Sequence, residues 1–121
     1  MNAVTNDSPP QATREDLSRL FAPQIEEFKL SSGKVLWLRC LTVEERARIL
    51  GMGADAGLDA LTVMLACGVI DAGGNPIFGA YKDALPLIRG LGLQPEMIEM
   101  AKVISRLSGM EADQQEAASG N

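Results

Sequence analysis

The chain has 121 residues, enough for one domain built around one core. Its net charge is -5 and its sequence pI is about 4.6, with no basic cluster, which sets nucleic acid and anionic membrane surfaces aside as partners because both demand concentrated Lys and Arg. Aromatic residues make up only 4%, so the core has to come from Leu, Ile, Val, Met and Ala; the absence of histidine excludes Ser-His, Cys-His and His-metal chemistry.

Met1 to Thr13 is polar, holds Pro9-Pro10 and lacks periodicity, which predicts a disordered lead without a secretory signal. Arg14 to Phe21 predicts a short helix with Leu17, Leu20 and Phe21 on one side, suited to docking onto the body or onto a partner, and Pro23 ends it. Residues 1–24 are therefore read as a flexible segment, 25–110 as the folded domain and 111–121 as a disordered tail. Phe28 to Leu41 alternates and is broken at Ser31-Ser32-Gly33-Lys34, a hairpin pattern with glycine supplying the positive φ of the turn. Leu36, Leu38 and Cys40 share one face of the second strand; Val35, Trp37 and Arg39 share the other. A lone hairpin is marginal in water, so this one has to pack on helices or on another copy of itself.

Thr42-Val43-Glu44-Glu45 matches a capping box that opens a helix through Ile49-Leu50. Gly51, Gly53 and Gly57 then form a joint or a helix C-cap. Leu58 to Ile70 predicts the most apolar helix, stopped by Asp71-Ala72-Gly73-Gly74-Asn75-Pro76. Tyr81 to Gly90 and Pro95 to Leu107 are the remaining helices, the last with an apolar stripe of Met97, Ala101, Ile104 and Leu107. The fold class that follows is mainly α (α+β), an N-terminal β-hairpin leading into a bundle of about four helices. No apolar run is long enough to span a bilayer.

No motif carries catalytic or metal chemistry. Cys40 and Cys67 sit in apolar runs and read as reduced, buried thiols of an intracellular protein, with a disulfide as the alternative. Asp71 to Lys82 fails as a calcium loop at its sixth and twelfth positions, Pro76 and Lys82, and reads as a plain turn. Gly51-Met52-Gly53 lacks the lysine of a phosphate-binding loop. Trp37 is either core or, if Leu36 and Leu38 take the buried face, an aromatic anchor for a partner. Met52, Met64, Met97, Met100 and Met110 are many methionines for a small chain, a residue that adapts its shape to varied apolar segments.

The order Ser32-Gly33-Lys34-Val35, Leu41-Thr42-Val43-Glu44-Glu45-Arg46, Cys67-Gly68-Val69-Ile70-Asp71-Ala72-Gly73-Gly74-Asn75-Pro76-Ile77-Phe78, then Leu107-Ser108-Gly109-Met110 resembles the tail assembly chaperones of long-tailed, siphovirus-type bacteriophages and prophages. The resemblance spans about Phe28 to Met110 and includes an Asp-x-x-Gly-x-x-x-Phe turn and a closing Leu-Ser-Gly. The double glycine Gly73-Gly74 and the glycine-rich joint depart from the pattern. The resemblance implies a small, mostly helical, non-enzymatic protein without cofactors. Such a protein binds the long helical tape measure protein, keeps it soluble and promotes tail tube assembly, with the major tail protein recruited afterwards. It implies a location in the host bacterial cytoplasm, absence from the finished virion, and in many relatives a frameshifted C-terminal extension. Helix-in-groove recognition suits that task, and Val35, Trp37, Met97, Met100 and Ile104 are the contact candidates. Self-association through the exposed hairpin edge is a further expectation. The alternative function is a small structural adaptor or connector of a phage particle.

Overall fold

The computed structural model describes residues 8–53 and 57–110. The predicted disorder of the first residues and of the C-terminal tail falls largely on 1–7 and 111–121, and the middle of the glycine joint on 54–56, all outside the described residues. In chain order the elements are α1 (Arg14–Leu20), β1 (Ile25–Lys29), β2 (Val35–Arg39), α2 (Val43–Leu50), α3 (Leu58–Gly68), β3 (Val69–Ile70), α4 (Tyr81–Arg89) and α5 (Pro95–Leu107). This is an α+β architecture, an N-terminal hairpin followed by four helices.

The hairpin turns where glycine allows it. The Leu30 N–H donates to the Lys34 carbonyl at 2.8 Å and the Gly33 N–H to the Leu30 carbonyl at 2.9 Å, with Gly33 at φ +94°. Its first strand begins at Ile25, three residues before the expected Phe28. Glu26 and Glu27 hide the alternation there, yet Glu26 faces the helices and is held by Arg106 of α5 at 2.9 Å. Pairing runs Ile25↔Arg39 through Lys29↔Val35.

The helix expected to reach Ile70 stops at Gly68. Val69 and Ile70 instead form a third strand against β2, with Leu38↔Val69 and Trp37↔Ile70 as partners. A continuous apolar run does not separate helix from buried strand by periodicity; here the ladder on β2 decides for two β-branched residues. The chain leaves β3 through a turn closed by one side chain. Asp71 Oδ1 accepts the N–H groups of Gly73 (2.9 Å) and Asn75 (3.0 Å), and Gly74 takes φ +87°.

α2 starts with the expected capping box: the Glu45 N–H donates to Thr42 Oγ1 at 3.2 Å and the Thr42 N–H to Glu45 Oε1 at 2.9 Å. α3 is the central helix, burying Thr62, Val63, Leu65, Ala66, Cys67 and Gly68. Leu36 and Leu38 turn the inner face of the sheet onto this helix layer, in one core cluster with Leu65, Val69, Ile88 and Ile104. α5 lies along the hairpin and is pinned at both ends. Glu96 accepts from the Ser31 N–H at 2.7 Å near its start, and Ser108, just past its end, accepts the Leu41 N–H at 2.9 Å while donating to the Ile104 carbonyl at 2.6 Å. α1 forms where expected, with a complete capping box from Thr13 and Asp16, but buries none of its residues.

The tightest packing is at Gly68. A Cβ there would lie 2.6 Å from Ile104 Cδ1 and 2.9 Å from Cγ1, and Ile104 is fully buried with no room to withdraw. Gly68→Ala is therefore expected to cost about 1–3 kcal/mol in urea unfolding. Ile104→Val, which removes Cδ1, should make the double variant less destabilised than the sum of the singles; strict additivity would show that the two side chains do not meet.

Candidate partner-binding groove

α3, α4 and α5 do not close completely on one another. Between them runs an open apolar groove of about 210 Å³, lined by Leu58, Leu61 and Thr62 of α3, Ile88 of α4, Leu91 and Leu93 of the connecting loop, and Met97 of α5, with Asp59 and Arg89 at the rim. Ile88 (2% exposed) and Thr62 (6%) form the floor, and the Thr62 hydroxyl is satisfied by the Leu58 carbonyl at 2.8 Å. The walls stand in solvent: Leu58 is 63% exposed, Leu91 45% and Leu93 52%. The volume is below the roughly 300–1,000 Å³ of small-molecule sites and suits inserted side chains of a larger partner. Apolar floor, leucine walls and a charged rim are what an amphipathic helix needs to lay down its apolar stripe.

The contact candidates from the sequence divide three ways. Met97 lines the groove. Val35 and Trp37 sit on the outer face of the sheet, Val35 exposed and Trp37 half-buried and outside the core cluster, so they do not join Met97 in one surface. Met100 (7% exposed) and Ile104 (0%) are core residues, a correction to the expectation that they meet a partner. The stripe of α5 is wider than one surface can use, and its central positions are consumed by packing on α3 and the sheet. Leu58, Leu61, Leu91 and Leu93 were not anticipated. The available signal was Gly90-Leu91-Gly92-Leu93, where a loop between helices spends two leucines that no helix period requires.

A second pocket of about 320 Å³ is lined by Arg39, Glu45, Arg48, Ala66, Cys67, Pro76, Gly79, Ala80 and Tyr81. Two of its charges, Arg39 and Glu45, are spent on each other, and Arg48 pairs with Glu44 outside the pocket at 3.6 Å. Arg39 holds Glu45 through two bonds of 2.8 and 2.7 Å, and Arg48 lies over the Tyr81 ring at 4.2 Å. Burial alone would raise the Glu45 carboxyl, but the Arg39 guanidinium, the Thr42 N–H and the Cys67 thiol together outweigh it and hold the carboxyl below its ordinary value. The Arg39 guanidinium is stabilised in turn by Glu45. Cys67 is pushed up to about 11, first by burial and then by the Glu45 charge. A thiol that stays protonated at neutral pH is a poor nucleophile, and the Arg39–Glu45 pair beside it fastens β2 to α2. Both cysteines are free, Cys67 buried as expected and Cys40 only half-buried. Among the described residues no group of three or more His, Cys, Asp or Glu is placed to hold a metal ion, and no helix is long and apolar enough to cross a membrane.

Comparison of the chain with models of protein families, with curated proteins and with solved structures finds no match.

Two expectations follow from the Glu45 cluster. At about pH 8 a thiol reagent should label no more than one cysteine before unfolding, with Cys67 reacting only as the chain opens; rapid reaction of both would contradict the burial. Because the folded Glu45 carboxyl titrates below its free value of 4.5, its stabilisation is complete above that value and is lost as pH falls through the folded pKa. Urea midpoints measured from about pH 6 down to about pH 3 should therefore fall less steeply in Glu45→Gln than in the parent; parallel slopes would show that Glu45 is not a linked group.

Proposed function

We propose that this protein is a tail assembly chaperone of a long-tailed phage or prophage. It binds the tape measure protein, keeps it soluble and promotes tail tube assembly, acting as a non-catalytic binding module in the host bacterial cytoplasm. The observation that carries the reading is the groove. An acidic chain leaves Leu58, Leu91 and Leu93 standing in solvent around an apolar floor, although burying them would stabilise it. A tape measure helix exposes long apolar stripes that aggregate when bare, and a groove of this depth takes a few side chains at a time. Shallow engagement gives modest affinity at each site, which suits a partner that must be handed on to the major tail protein.

The motif that prompted the resemblance supports the reading in a second way. Asp71 ties its turn, Gly74 supplies a positive φ and Phe78 packs against the core, so each named position of the Asp-x-x-Gly-x-x-x-Phe element has a local role. Ser108 joins the end of α5 to Leu41, and Gly109 turns the chain at φ +72°.

The test is co-expression with a tape measure protein of a long-tailed phage, drawn from the same genome. The partner, insoluble alone, should co-purify in a soluble complex. Leu58→Asp combined with Leu93→Asp should keep the fold, since both positions are exposed, and weaken the complex by at least about tenfold, as expected when charge enters an apolar contact. Failure of the parent protein to bind or solubilise the tape measure protein would overturn the reading, and its recovery in purified virions would favour the connector role.

A further inference from the structure

Among the described residues the sheet has one free edge. β2 is central, with β1 and β3 on either side. Beyond β3 the chain folds back on itself: Ile70 bridges to Pro76, and the Ile77 N–H donates to the Val69 carbonyl at 3.1 Å. β1 has β2 on one side and no strand on the other.

The ladder shows which main-chain groups face outward. Gln24 accepts from the Cys40 N–H at 2.8 Å, and the Leu30 N–H donates to Lys34 at 2.8 Å. Hydrogen-bonded pairs alternate in an antiparallel ladder, so Gln24, Glu26, Phe28 and Leu30 turn their main-chain groups toward β2. Ile25, Glu27 and Lys29 turn theirs away, onto the free edge. β1 has no proline within it, and its pairing with β2 runs without a bulge, two of the devices that blunt exposed edges. Its edge charges, Glu27 and Lys29, are of opposite sign and two residues apart, which makes them complementary to themselves under a two-fold axis.

We propose that β1 pairs antiparallel with β1 of a second copy of this chain, about a two-fold axis through Phe28, joining the two sheets into one. Glu27 then lies opposite Lys29 of the second copy, and Lys29 opposite its Glu27, each pair exchanging both main-chain bonds. Phe28 meets Phe28 on the inner face. The register centred on Glu27 instead sets two carboxylates face to face and is disfavoured. The ladder ends at Ser31, whose N–H is already donated to Glu96. A five-residue edge alone buries less than the roughly 800 Å² per partner of a stable interface. α1 and its C-cap, four residues ahead of β1 in the chain, leave apolar surface uncovered that a second copy could also bury: Leu20 and Phe21 are each 72% exposed and Leu17 46%. The groove is built by α3, α4 and α5 and stays clear of this edge.

The inference stands apart from the chaperone reading and is tested on the protein alone. Light scattering after size exclusion, over a concentration series, should show a dimer. Glu27→Lys and Lys29→Glu each turn two attractive pairs into repulsive ones and should raise the dissociation constant by about tenfold or more. The double variant Glu27→Lys/Lys29→Glu restores opposite charges in the proposed register and should restore the dimer. Both positions are exposed, so circular dichroism should be unchanged in all three. A parent protein that is monomeric throughout, a dimer indifferent to the single variants, or a double variant that stays monomeric would each overturn the proposal.

Discussion

Ile104 packs where any side chain on residue 68 would be. Gly68 ends α3, and the next residue, Val69, is already paired with Leu38 on β2. At that one junction the central helix, the sheet and α5 come into contact, and only a missing Cβ lets all three approach. The position of α5 follows from it. Its buried middle is fixed on α3, which leaves its first turn free to place Met97 in the groove and its ends free to hold the hairpin through Glu96 and Ser108.

The polar side chains act as fasteners around that junction. Glu45 serves twice, closing the first turn of α2 and receiving both arms of Arg39, so that one carboxylate sets the angle between β2 and α2. Arg106 and Glu26, half-exposed, add orientation more than stability. The charges near Cys67 are thus already paired. The groove is the opposite case, with apolar surface that no part of the described chain covers. That contrast, saturated charges beside uncovered apolar surface, is what the proposed binding role draws on.

Much of the fold was legible because local chemistry and tertiary structure agree. The Thr42–Glu45 capping box, the turn at Gly33, the turn that begins at Asp71 and the alternation of Leu36 and Leu38 each have a local cause, and each appears in place. What was not legible depends on distant residues. Val69 and Ile70 read as helix until β2 claims them, and Glu26 reads as loop until Arg106, 80 positions away, receives it. The site was less legible than the fold. Met100 and Ile104 carry the same apolar signature as Met97, and sequence does not tell which part of a stripe faces the core and which faces a cleft. Leu91 and Leu93 form the groove from a loop, where periodicity has nothing to say.

The central claim is that the α3–α4–α5 groove receives an apolar helix. Methyl-resolved NMR of the isotopically labelled protein, titrated with an amphipathic helical peptide taken from a phage tape measure protein, tests it most directly. The account predicts saturable shifts at the methyl groups of Leu58, Leu61, Leu91, Leu93 and Met97, with Val35 and Leu38 unmoved. Shifts confined to α1 and the outer face of the sheet, or none at all, would contradict it.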